Sequence, residues 1–292
     1  MMDILYNFLI HPFADFGFMR RALIACIALS LGGSVIGAFL VLRRMTLVGD
    51  AMSHAILPGA SIAFMISGIS LLPMTIAGLI AGIVVSSLAG LVAKNTGLHE
   101  DSSFTGTHLL CLSGGILLVS MNGSTIDLMH VLFGNVLAVD NPTLILVGII
   151  ASISLLVISF VYRDIIAECF DAGFLNSVGE RSGIYQQIFM MLLVLNLVAG
   201  FHALGTLMAL GLLILPAIAA SFWAYEIDRL VIVSCIIAIT SSFIGLLISY
   251  HTGLPSGPAI VFTAGVIYVI SLISGTEGSL IAKYFQRKHL EG

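Results

Sequence analysis

The sequence predicts an all-α, polytopic transmembrane helical bundle of about nine spans, within a range of eight to ten. Three observations predict it. Of 292 residues, 59% are hydrophobic and only 9% are charged, where soluble domains carry about a quarter charged residues. So few charges cannot surface a water-soluble fold. The apolar residues fall in blocks of about 17 to 25, the length that crosses a hydrocarbon core about 30 Å thick at about 1.5 Å per residue. Many of the 30 glycines lie inside those blocks, as in "LGGSVIGAF", "GLIAGIVVSSLAG" and "ALGTLMALG", where small residues let helices approach closely in lipid.

The spans follow in order. The first, roughly 18 to 42, closes on Arg43 and Arg44, and the second, roughly 47 to 68, carries the polar motif taken up below. The third, roughly 71 to 93, ends on Lys94; His99 and His108 flank the start of the fourth, roughly 104 to 121, and read as structural or surface residues. The fifth, roughly 143 to 162, leads through Arg163 into the main polar loop, which reaches Arg181. The sixth, roughly 184 to 200, is followed by a seventh, roughly 203 to 223, in which Pro216 predicts a kink. The eighth, roughly 229 to 250, opens at Arg229, and Pro255 and Pro258 predict a tight turn before the ninth, roughly 257 to 275. Lys283, Arg287 and Lys288 then close the chain. With these basic ends on the cytoplasmic side, the positive-inside rule sets the C-terminus inside and the N-terminus outside. Arg20 and Arg21 are the exception, since they fall outside.

Continuous apolar blocks with no long polar insert make residues 1–292 one transmembrane domain. The N-terminal stretch lacks the pattern of a cleavable signal peptide, because its basic pair follows the first apolar run. Cys26, Cys111, Cys169 and Cys235 have no paired spacing and read as buried small hydrophobes. A net charge of −4 spread over short loops identifies no partner and gives no basic face for nucleic acid. No GxxxxGK[ST] occurs, so any ATP must be bound by another chain. The absence of HExxH leaves an intramembrane metalloprotease unsupported. "LVGD" at 47–50 has only one of the two glycines of the GxGD pattern of intramembrane aspartyl proteases, so an enzyme is not expected.

Within "RRMTLVGDAMSHAILPG", residues 43–59, Asp50 and His54 share a helix face at i and i+4. Counting from Arg44, they lie about 9 and 15 Å along the helix, inside the hydrocarbon layer. A lipid-facing carboxylate there costs at least about 2.5 to 3.5 kcal/mol, so both face a water-filled path or the bundle interior. Ser53 and Thr46 add neighbouring oxygens. A carboxylate with a neutral imidazole suits first-row divalent ions such as Zn²⁺ and Mn²⁺. Composition and spacing leave two readings open. In one, Asp50 satisfies a helix start and His54 bonds a neighbour; in the other, the pair is a permeation site. Two ligands are too few for an ion, and a symmetric dimer would supply two of each.

"RRMTLVGDAMSHAILPGASIAF" resembles the signature of the integral-membrane permeases of metal-ion ABC importers, the group that carries manganese, zinc or iron. "IDLMHVLFGNVLAV", "CFDAGFLNSVG", "LGTLMALGLLILPAIAA" and "YHTGLPSGPAIV" match in the same order across most of the chain. The resemblance implies an ABC importer permease fold acting as a homodimer in the cytoplasmic (inner) membrane of a prokaryote, with Asp50 and His54 lining the path. It implies a cytoplasmic ABC ATPase subunit and an extracytoplasmic metal-binding protein as partners, with membrane lipid around it. It further implies Mn²⁺ or Zn²⁺ as the transported ion, with no cofactor held permanently. "HVLFGNVLAV" resembles the manganese-type members of the family slightly more than the zinc-type ones. The runner-up is a stand-alone secondary metal-ion transporter or channel, which an intramembrane Asp–His pair would serve equally.

The resemblance also makes the loop at 163–183 the carrier of a coupling helix for the ATPase. Residues 171–178 can form about two turns, with Phe170, Phe174 and Leu175 on an apolar face beside Asp171, and Gly179 as the stop. A helix lying on the membrane interface would show the same pattern. By the topology above, Asp127, His130, Asp140, His202 and His251 fall near outer ends of spans, where carboxylates and imidazoles attract a divalent cation. Asp127 and His130 are the foremost candidates for direct ligands there.

Overall fold

The computed structural model describes residues 8–68, 70–98, 100–121, 136–170 and 182–281. Among these the regular elements are helical, with no strand. A short α1 (His11–Asp15) precedes α2 (Gly17–Leu42), α3 (Thr46–Ser67), α4 (Leu71–Thr96) and α5 (Glu100–Met121). A single 3₁₀ turn (Val136–Ala138) leads into α6 (Asn141–Phe170), α7 (Ser182–Leu204), α8 (Thr206–Ala220), α9 (Ile227–Thr252) and α10 (Ser256–Ser274). Each span expected from the sequence meets one of the helices α2 to α10. Among the described residues, seven of them are long and apolar enough to cross a membrane: α2, α3, α4, α6, α7, α9 and α10.

Helix α8 is short for a local reason. Gly205, with φ of 86°, breaks the chain between α7 and α8, a backbone state that glycine adopts without a Cβ penalty. That leaves α8 with 15 residues, about 22 Å of helix and so shorter than the hydrocarbon core. Helix α5 begins earlier than hydropathy suggests, with Asp101 in its first turn, where a carboxylate is favoured by the positive end of the helix dipole.

Helix α2 is the centre of the bundle, packed by α6, α8 and α9, while α3 packs against α4 and α5. Close approach is bought with glycine at two crossings: a Cβ on Gly37 would collide with the Leu213 carbonyl of α8, and one on Gly59 with the Ala77 carbonyl of α4. One core cluster gathers Phe39, Met52, Phe189 and Leu193; a second, at the other end of the bundle, gathers Met19, Cys26, Ala199 and Leu246. Outward faces keep large apolar side chains exposed, among them Ile66, Leu110, Phe160 and Phe262, as a lipid-facing surface requires.

The two ends of the bundle differ. At one end Arg43, just past α2, reaches the end of α6. Its Nη2 donates to Glu168 at 2.7 Å, its Nε donates to the Cys169 sulfur at 3.1 Å, and its guanidinium lies 4.7 Å from the Phe189 ring centre. At the opposite end Arg21, the misfit to the charge rule, donates from Nε to the Val139 carbonyl at 3.0 Å. Its charge is thereby tied to the 3₁₀ turn and the start of α6.

Candidate functional site

Asp50 is the fifth residue of α3, whose N-cap position is Met45, and no side chain caps that helix start. The Asp50 carboxylate therefore makes no cap hydrogen bond at this helix start. Asp50 Oδ1 lies 3.7 Å from His54 Nε2, too long for a direct hydrogen bond. The Asp50 side chain is 53% exposed and that of His54 29%, while Val48, Met52, Ala55 and Ile56 on the other side of α3 are buried. The motif thus splits α3 into an apolar core face and an uncovered polar face. Ser53 turns away, donating to the Asp50 main-chain carbonyl at 2.8 Å from a buried position. Pro58 lies within the helix and has no N–H, so the His54 carbonyl loses its α-helical donor one turn on.

The structure adds a residue that the sequence assigned to a structural or surface role. His108 of α5 stacks on His54, ring centres 5.7 Å apart and planes at 28°. It is 8% exposed. Counting from Glu100, His108 lies about 12 Å along α5, level with Asp50 and His54 counted from Arg44. A comparison of depths along neighbouring spans could have found it; spacing along the chain could not, because the two histidines sit on different helices.

The outer residues are held separately. Asp140 caps α6, its Oδ1 accepting the Thr143 backbone N–H at 3.0 Å. The Thr143 hydrogen bonds, and more weakly the charge of Arg21, hold its carboxyl below the ordinary aspartate value. His202 pairs with Thr75 Oγ1 at 3.0 Å. His251 stacks on Phe8 with ring centres 4.1 Å apart. Among the described residues no three His, Cys, Asp or Glu side chains are gathered tightly enough to hold a metal. Asp127 and His130, and Asp171, Phe174, Leu175 and Gly179 of the coupling helix expected from the sequence, lie outside the described residues. Phe170 ends α6, and its side chain lies outside them as well.

Apolar helices of membrane-crossing length with an uncovered polar pair on one of them leave the kind of membrane protein open, and sequence comparison decides it. The description "ABC 3 transport family" matches residues 15–275. The chain belongs to the ABC 3 transport family. It is a multi-pass protein of the prokaryotic cytoplasmic membrane. It is 31% identical over 274 residues to "Manganese import system permease protein ScaB" of Streptococcus gordonii, covering 94% of this chain and 96% of the relative. It is 30% identical over 272 residues to "Chelated iron transport system membrane protein YfeD" of Yersinia pestis, covering 93% and 90%. Among solved structures it matches "PsaBC from Streptococcus pneumoniae in complex with Fab" with a TM-score of 0.82 and 28% identity, over 96% of this chain and 98% of that one. The fold is therefore that of an ABC importer permease.

Proposed function

We propose that this permease imports a divalent transition metal ion, manganese foremost, along a path between two copies of the chain lined by Asp50 and His54. The observation that carries the reading is the uncovered polar face of α3, where a half-exposed carboxylate stands beside an imidazole at membrane depth. Facing lipid it would cost at least about 2.5 to 3.5 kcal/mol; facing its own copy across a two-fold axis it gains two carboxylates and two imidazoles around one ion. The donor set suits Mn²⁺, Fe²⁺ and Zn²⁺. Relatives named for manganese and for iron favour those two over zinc, and manganese most.

In this reading α2 to α10 are nine spans, with the Arg43–Glu168 end cytoplasmic and the Arg21–Val139 end outside. Phe170, Asp171, Phe174, Leu175 and Gly179 form the coupling segment that a separate ATPase grips. An extracytoplasmic binding protein delivers the ion to the outer face, where Asp127 and His130 stand at the mouth. ATP binding and hydrolysis below then rock the two halves and expose the Asp50 and His54 rings to each side in turn. The chain itself performs no catalysis.

Cells lacking their own manganese importer, given this chain with and without its ATPase, test the reading. Radioactive Mn²⁺ should enter only when both are present, with Fe²⁺ competing better than Zn²⁺. Uptake by the permease alone would instead favour a secondary transporter or channel.

A further inference from the structure

We propose that His108 is a further ligand of the transported ion, so that each copy presents one carboxylate, Asp50, and two imidazoles, His54 and His108. The proposal rests on the metal-path reading above and extends it to a second helix. Both ring nitrogens of His108 are shut off from solvent and neither has a hydrogen-bond partner among the described residues. The Thr105 carbonyl, one turn back on α5, acts on the ring without meeting hydrogen-bond geometry. Buried polar side chains nearly always find a partner, and a neutral imidazole offers one donor and one acceptor. A histidine that finds neither is poised for something that arrives.

Its surroundings say what arrives. The only ring stacked on it is that of His54 among the described residues, 5.7 Å away, and Asp50 is near enough for its charge to act on the imidazole. To share one ion, each ring must turn about its side-chain bonds until an in-plane nitrogen lone pair, and not its face, is aimed at a common point. The set closes on the ion and is not preassembled, in keeping with the lack of a tight three-residue cluster. A carrier gains from this, because a site that must release its ion cannot hold it in a finished cage.

The added imidazole also has a consequence for selectivity. Mg²⁺ and Ca²⁺ take oxygen ligands, whereas imidazole suits first-row transition ions. Two imidazoles to one carboxylate per copy therefore discriminate against both alkaline-earth ions, which a lone Asp–His pair does less well.

The test uses the full-length chain in lipid nanodiscs with Mn²⁺ alone as the probe. Affinity is read from the free-ion electron paramagnetic resonance signal, and ligation from the electron spin-echo modulation produced by imidazole nitrogen. His108→Phe keeps a ring to stack on His54 and removes both nitrogens; His108→Gln keeps polarity without an imidazole. Both should weaken Mn²⁺ binding by about tenfold or more, the scale on which losing even an outer partner weakens metal sites. Both should lower the nitrogen modulation and let Mg²⁺ compete at lower concentration. Wild-type affinity and modulation in both variants, with binding lost in Asp50→Ala, would overturn the His108 assignment and leave the path intact. Wild-type binding in Asp50→Ala and His54→Ala would remove the path itself, and the proposal with it. If His108→Phe does not insert, His108→Gln decides by the same readouts.

Discussion

Replacing Glu168 by alanine strands a cation in the interior. The Arg43 and Glu168 side chains are 8% and 6% exposed with nitrogen and oxygen 2.7 Å apart. At an effective dielectric constant of about 20, that separation gives a gross attraction of about 6 kcal/mol, most of it offsetting the desolvation of the two ions. Removing one partner leaves the other's desolvation uncompensated, so Glu168→Ala should destabilise by about 3 to 5 kcal/mol. At about 2 to 4 °C per kcal/mol, the melting temperature should fall by about 6 to 20 °C. The four free cysteines are all buried or partly buried, so a thiol-reactive fluorophore reports unfolding of the detergent-purified chain. The double variant Arg43→Met with Glu168→Leu removes both charges and should recover wild-type stability or exceed it. A Glu168→Ala loss below about 1 kcal/mol, the range of exposed pairs, would refute the reasoning. The pair also ties the chain just before the Asp50 helix to the end of α6, immediately before the proposed coupling segment. Glu168→Ala is accordingly expected to slow transport more than its effect on the amount of folded protein explains.

Asp140→Ala should cost about 0.5 to 1 kcal/mol, the low end for a helix cap, because the site is exposed. Its folded carboxyl is held below the unfolded value, so this contribution is present above the ordinary aspartate range and lost as pH falls through the depressed value. Acid melts of wild type and variant should therefore converge as the pH drops, and a constant gap would count against the cap. Phe174→Glu should abolish co-purification of the ATPase, since a carboxylate in a protein groove costs several kcal/mol; normal stoichiometry would remove the coupling assignment. His54→Asp should move preference from Zn²⁺ toward Mn²⁺ in competition uptake, because oxygen ligands suit manganese better, and an unchanged ratio would make His54 a packing residue.

Hydropathy made the bundle legible, since nothing but lipid explains apolar blocks of that length, and every expected span meets a helix. It misjudged ends. Helix α6 runs on to Phe170, because Arg163 and Asp164 are compatible with helix beyond the hydrocarbon layer and only hydropathy stops there. The seventh span was drawn through Gly205, whose left-handed backbone belongs to a junction and not to a helix interior. The pair Asp50 and His54 was legible because i,i+4 spacing is written in the chain. His108 was not: it joins His54 through the packing of α5 on α3, and a lone histidine in an apolar helix carries no local mark of its neighbour. Asp140 was read for its charge at the mouth, and the structure shows that charge engaged in capping α6.

The central claim is that the ion passes Asp50 and His54. The most direct measurement is ATP-driven Mn²⁺ entry into proteoliposomes holding the permease, its ATPase and saturating binding protein, for wild type, Asp50→Ala and His54→Ala at equal protein levels. Each alanine removes a donor from a site that needs both copies and leaves the buried face of α3 untouched, so transport should fall to background while assembly and ATPase binding persist. Entry at the wild-type rate in either variant would contradict the path.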